Sequence, residues 1–176
     1  MLGLAQQPGT LALDVACGTG LYARAMARRS PSTTVLGLDI SPGMLQYART
    51  LQAREGLKNL YFVRADIHRL PLPTASVDHI NCCAALHLFS DLPAIWRELA
   101  RVLRPGGTLT GMTVFHRPLG KHSFQAFLQQ HLQFTFFEPD ALAQALRVSG
   151  LDHFQMRQQH AALMFSAVRE AFLSVE

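Results

Sequence analysis

Short apolar runs alternate along the chain with longer stretches whose apolar residues recur every three or four positions. The runs read as buried strands and the stretches as helices with one apolar face. Leu11-Ala12-Leu13-Asp14-Val15 opens the series and breaks into Ala16-Cys17-Gly18-Thr19-Gly20, which predicts a strand entering a glycine turn, with a helix from Leu21 to Arg29. Val35 to Leu38 predicts a second strand with Asp39 at its end. Ser41 and Pro42 then supply an N-cap and a first helical residue, and Gly56 a stop. Further strands are predicted at Leu60 to Val63, Val77 to Cys83, Leu109 to Val114, His153 to Gln158 and Leu163 to Val168. Asp91 caps a helix expected to end at Pro105-Gly106-Gly107, and Pro139 to Val148 predicts another. Strand and helix alternate, so the expected fold is α/β: a Rossmann-like, doubly wound, mostly parallel sheet with helices on both faces.

Composition narrows the class. A chain of 176 residues, 49% hydrophobic and 16% charged, fits one domain with a sizeable core, here residues 1–176. No apolar run reaches the roughly 18 residues of a membrane span, and the start lacks a secretory pattern, so a cytoplasmic location is expected. Cys17, Cys82 and Cys83 have no disulfide or zinc-ligand spacing. The net charge of +4 is scattered rather than clustered, so no nucleic-acid partner is expected, and the sequence is compatible with a homo-oligomer. The least regular stretch, 115–137, carries Phe124, Phe127, Phe134, Phe136 and Phe137 and reads as a lid-like insert or as core.

The chemistry lies at the strand ends. Gly18 and Gly20 leave room for a ligand against the turn and expose amides at the start of a helix. Gly18 to Ala23 also fits the dinucleotide pattern G-x-G-x-x-A, and Asp39, about twenty residues on, suits ribose hydroxyls in either case. Asp14, inside the first strand, is placed to answer a cationic amino group. Asp66, at the end of the third, is placed to meet the exocyclic amine of adenine. Together the three acids favour S-adenosylmethionine over NAD.

Leu13-Asp14-Val15-Ala16-Cys17-Gly18-Thr19-Gly20 resembles the first motif of class I S-adenosylmethionine-dependent methyltransferases. The similarity continues through Gly37 to Leu45, Ala65 to Pro71 and Glu98 to Gly107, and lies nearest the ubiquinone/menaquinone-biosynthesis-like group, including plant-plastid and cyanobacterial members. The resemblance implies a seven-stranded sheet with its last strand antiparallel. It implies methyl transfer from S-adenosylmethionine, leaving S-adenosylhomocysteine, to a small apolar or aromatic, quinone-like acceptor. It places the methionyl part on Asp14, Ala16, Cys17, Gly18, Thr19 and Gly20, the ribose on Asp39 with Ile40 and Met44 beside it, and adenine on Asp66 with Ile67. Cys83, ending the fourth strand, completes the candidate cofactor contacts. No metal is implied. Ala16 stands where the family has glycine, and the helices that usually precede the first motif are expected to be missing. His87, just after the fourth strand, is the candidate for taking the acceptor's proton, ahead of His116 and His122, because imidazole titrates near neutrality. Asn81-Cys82-Cys83-Ala84 lacks both the Pro-Cys pair and the N-P-P-[YF] run of base methyltransferases, so inert thiols are expected. The competing readings are a ligand-binding domain that has lost activity and an NAD-dependent oxidoreductase.

Overall fold

The structure is a computed structural model that describes residues 9–114 and 134–171. Seven strands form one sheet in the order β3-β2-β1-β4-β5-β7-β6. They are β1 (Leu11–Val15), β2 (Thr34–Asp39), β3 (Leu60–Arg64), β4 (Val77–Cys83), β5 (Leu103–Val114), β6 (Leu151–Gln159) and β7 (Ala162–Arg169). β1 to β5 pair in parallel, while β7 runs antiparallel to both neighbours, as the family resemblance implies. The helices are α1 (Leu21–Arg29), α2 (Pro42–Glu55), α3 (Leu92–Val102) and α4 (Pro139–Val148), with a 3₁₀ turn at Leu86–Leu88. The proposed insert 115–137 lies outside the described residues except for 134–137, as do His116, His122, Phe124 and Phe127.

Side chains alternate across the strands, and the sheet separates two cores, with β1 and β2 contributing to both. Ala12, Val35, Leu60 and Phe62 pack with Ala23 and Ala27 of α1 and Leu45 and Ala48 of α2. On the other face Leu13, Val15, Ile80, Leu109 and Phe165 pack with Ile95, Trp96 and Leu99 of α3 and Leu142 and Leu146 of α4. Two of the caps read from the sequence are in place: Ser41 Oγ accepts from Met44 N at 3.4 Å, and Asp91 Oδ1 from Ala94 N at 3.1 Å. Gly56 ends α2 at φ 66, a left-handed residue that glycine adopts without steric cost.

One boundary differs from the sequence expectation. Pro105-Gly106-Gly107 does not terminate α3; the helix ends at Val102, and Leu103 already pairs with Val77. The register then jumps so that His79 faces Thr108, and Gly106 at φ 76 carries the bulge. The proline-glycine run is therefore an irregularity inside β5.

No helix follows β3. The connection to β4 is instead bound to α3: Glu98 Oε1 accepts from Leu70 N at 2.6 Å, while Arg101 donates to the carbonyls of Leu70 at 3.2 Å and Leu72 at 2.9 Å. Arg101 also pairs with Glu98, holding its carboxyl below the ordinary range. This clamp holds Ile67 and Leu70 in place beside the strand ends. No helix among the described residues is long and apolar enough to cross a membrane.

Gly111 has no room for a side chain. A Cβ there would come within 2.4 Å of the Phe165 ring and 3.0 Å of the Cys82 carbonyl oxygen. Gly111→Ala is expected to destabilise the fold by about 1–3 kcal/mol through overpacking. An unchanged urea midpoint would show that Phe165 is not held as described.

Candidate ligand-binding site

The turn between β1 and α1 requires left-handed backbone at Ala16 (φ 51), Gly18 (φ 54) and Gly20 (φ 74). Glycine enters this region readily and alanine does so at a cost of about 1–2 kcal/mol. Gly20 is needed for space as well, because a Cβ would lie 2.6 Å from the Phe62 ring. At Gly18 a Cβ would meet nothing within 4 Å, so the turn is open on that side.

Two carboxylates hold the turn. Asp39 accepts from Gly18 N at 2.7 Å through Oδ2 and from Ser41 N at 2.9 Å through Oδ1, so it ties the exit of β1 to the start of α2. Asp14 lies beneath and is only 1% exposed. It accepts from Ala23 N at 2.9 Å, in the first turn of α1, and from Asn81 Nδ2 at 2.7 Å, on β4. Burial raises its pKa to about 7, against the lowering effect of those two bonds.

A cleft of about 320 Å³, including its opening to solvent, lies over these strand ends. Val15 and Ala16 line it from β1, Leu38, Asp39 and Ile40 from β2, Ala65, Ile67 and Leu70 from the clamped connection, and Phe89 follows the 3₁₀ turn. Its walls are apolar with one carboxylate, the composition of a small-ligand pocket. Each Asp39 oxygen accepts one protein N–H and retains a second acceptor position. The residues therefore fit a flat apolar ring joined to vicinal hydroxyls.

Of the residues singled out from sequence, Ala16, Asp39, Ile40 and Ile67 line this cleft. Gly18 is bonded to its carboxylate, and Met44, 47% exposed, stands at the start of α2. Cys17 is buried against α1 and α2, where burial pushes its thiol well up. Asp66 is exposed and bonded through Oδ1 to the backbone and ring of His68, which holds its carboxyl below the usual value. Cys83 donates to Asn81 Oδ1 at 3.2 Å, and burial pushes its thiol up to about 11. His87 lies in the 3₁₀ turn and lines a different cavity. Burial lowers its pKa below the ordinary value, and its buried Nδ1 has no hydrogen-bond partner among the described residues. Sequence reasoning did not identify Leu70, Phe89 or Asn81. Leu70 stands within a quoted motif, whereas the other two are placed by contacts that no local pattern reveals.

Residues 13–111 match the family model described as a methyltransferase domain. An uncharacterized chloroplastic methyltransferase of Arabidopsis thaliana is 32% identical over 90% of this chain and 47% of its own length. A demethylmenaquinone methyltransferase of Deinococcus radiodurans is 32% identical over 87% of this chain and 70% of its own. A malonyl-[acyl-carrier protein] O-methyltransferase of Serratia marcescens is 38% identical over 65% of this chain and 42% of its own. The chain thus spans about half the length of several curated relatives it matches, 47% of each of two Arabidopsis proteins. Among solved structures, phosphoethanolamine N-methyltransferase 2 of Haemonchus contortus with S-adenosyl-L-methionine superposes with a TM-score of 0.83. That match has 17% identity and covers 94% of this chain and 50% of the other.

Two outcomes are expected from the turn. Ala16→Gly removes a left-handed alanine and should raise stability by about 1 kcal/mol; a drop in melting temperature would mean that Ala16 is unstrained. Asp14 binds its proton more tightly folded than unfolded, so its contribution to stability declines as pH rises from about 4 to about 7 and is flat above. Asp14→Asn lacks that slope. The stability difference between variant and parent should therefore move in the variant's favour across this window, on the order of 4 kcal/mol in all. A pH-independent difference in urea titrations would mean that Asp14 titrates normally.

Proposed function

The chain belongs to the methyltransferase-domain family, and from that premise we propose that it transfers a methyl group from S-adenosylmethionine to a small apolar or aromatic, quinone-like acceptor. The observation that carries the reading is Asp39: it joins the β1 turn to the β2 exit and is the carboxylate of an otherwise apolar cleft. The curated relatives named for menaquinone chemistry support the acceptor class.

When bound, S-adenosylmethionine supplies an electrophilic methyl on a sulfonium, open to in-line attack by a nucleophile. The protein's share of the work is placement and exclusion of water. Asp39 accepts the ribose hydroxyls with its remaining lone pairs, while Ile40 and Ile67 flank the adenine with Asp66 at its edge. Gly18, Thr19 and Gly20 let the methionyl part approach the turn, with Ala16, Cys17 and Cys83 around it and Met44 beside the ribose. Asp14 holds that turn from beneath and supplies negative character below the ammonium. Burial favours the neutral form of the His87 imidazole, the form that can take a proton from a phenolic or enolic acceptor.

Asp39→Ala is expected to weaken S-adenosylhomocysteine binding at least about tenfold. Charge-assisted hydrogen bonds are worth roughly 1.5–3 kcal/mol, and 1.4 kcal/mol is one decade. Calorimetric titration, with circular dichroism confirming that both proteins are folded, measures it. Equal affinities would remove Asp39 from the site. Tighter binding of NAD than of S-adenosylhomocysteine would overturn the methyltransfer reading.

A further inference from the structure

Asp14 and Asn81 stand opposite one another in the register of β1 and β4. Asn81 in turn pairs with Thr110 of β5 and Cys83 with Met112, so these side chains share one face of the sheet. Farther along β5 and β7, Met112 pairs with Met164, and both line the cavity that His87 also lines.

The Asn81 amide is held in one orientation. Its Oδ1 accepts from Cys83 Sγ at 3.2 Å and from Thr110 Oγ1 at 3.3 Å, while its Nδ2 donates to Asp14 Oδ1 at 2.7 Å. Turning the amide over would set its oxygen against a carboxylate, which has no proton to give when ionised. The other Asp14 oxygen accepts from Ala23 N at 2.9 Å. At 1% exposure the carboxylate has lost the hydration that stabilises its charge, and these two donors work against that loss. The Ala23 donor belongs to the backbone of α1. Asn81 is therefore the side-chain donor on which the charge of Asp14 depends.

Building on the methyltransfer reading, we propose that Asn81 is a positioning residue for the cofactor: by holding Asp14 as a carboxylate under the β1 turn, it gives the site its preference for a ligand that carries the methionyl ammonium. A charge sealed from water acts on a nearby cation with little screening. The other titratable groups that interact with Asp14 are Asp39 on β2, Cys17 in the turn, Tyr22 on α1, and Cys82 and Cys83 on β4. Burial pushes the three thiols and the Tyr22 hydroxyl up, Cys83 to about 11, so these four keep their protons near neutrality. Asp39 is assigned to the ribose, so its contribution is common to ligands with and without the ammonium.

Two probes isolate the effect. S-adenosylhomocysteine carries the ammonium, and 5′-methylthioadenosine keeps the adenine, ribose and thioether without it. Calorimetric titration gives the ratio of their affinities. Asp14 ionises as pH rises through about 7, so the preference for S-adenosylhomocysteine should grow from about pH 5.5 to about pH 7.5, where its amine stays protonated. Asp14→Asn should make the ratio independent of pH. Asn81→Leu removes a donor from the carboxylate and should displace the rise to higher pH. At pH 7 it should lower the ratio by roughly tenfold, the effect of about one unit of displaced protonation, while 5′-methylthioadenosine binds as before and shows the cleft intact. In an Asp14→Asn background, Asn81→Leu should leave the ratio unchanged, because Asn81 acts through Asp14. An equal loss for both ligands, or an unchanged ratio, would overturn the proposal. So would a ratio flat with pH in the parent protein, a result that needs no variant to fold. Binding of both ligands with a flat ratio leaves the methyltransfer reading intact; binding of neither removes that reading and the proposal with it.

Discussion

Asp39 accepts from Gly18 N and Ser41 N, and the arrangement of the cleft over the strand ends depends on that pair of bonds. The turn has three left-handed residues; one bond closes it from within, Gly20 N to Cys17 O at 2.9 Å, and Cys17 N bonds Leu38 O on β2 at 2.9 Å. Asp39 supplies one anchor from the neighbouring strand end. Because the same carboxylate also bonds the residue that caps α2, the turn, the end of β2 and the start of α2 are held as one unit. The residues that flank the cleft, Ala16 and Ile40, are carried on this unit.

Most of the fold was legible because its signals are local. The apolar run Leu11 to Val15, the Ser41-Pro42 start, Gly56 and the face of α3 each predict an element without knowledge of the rest, and the structure agrees closely. The start of β5 was misread for the same reason. Pro-Gly-Gly is a terminator by local rules, and only pairing with Val77 shows that the strand has already begun at Leu103. The site divides in the same way. Ala16 to Gly20 and Asp39 could be named from sequence. The clamp of Glu98 and Arg101 on the Leu70 connection, and the bond from Asn81 to Asp14, join residues distant in the chain and have no local signature. Of the three acids, Asp14 and Asp39 each bond backbone N–H groups of the turn-and-helix unit, whereas Asp66 is exposed and turned to His68. Identical residue types at equivalent strand ends thus meet different surroundings, and those surroundings are a tertiary property.

The polar groups inside the sheet face form a continuous set. Asn81 donates to Asp14 and accepts from Cys83 at 3.2 Å and from Thr110 at 3.3 Å, linking β1, β4 and β5. Such a network is costly where a member is left unbonded and rigid where every member is bonded. Asn81 is suited to the centre because its amide donates on one side and accepts on the other. An aliphatic residue of similar size would leave Asp14 with one fewer bond in a setting that already disfavours its charge.

The position of that network explains why the cleft and the cavity lie where they do. In a sheet ordered 3-2-1-4-5-7-6, the chain builds outward from β1 in one direction and from β4 in the other. The two connections therefore leave a crevice between these strands, where open α/β sheets hold their ligands. The Asp39 cleft belongs to the β1–β3 side, and the cavity over the Met112–Met164 ladder to the β4–β7 side. Asn81 and Asp14 face one another across the dividing pair in direct register. A shift of β4 against β1 would break their hydrogen bond, so the bond fixes the relative position of the strands on which the two halves are built. The proposed methyl transfer would depend on that constancy, because a misplacement of about 1 Å at reacting atoms can cost two orders of magnitude in rate.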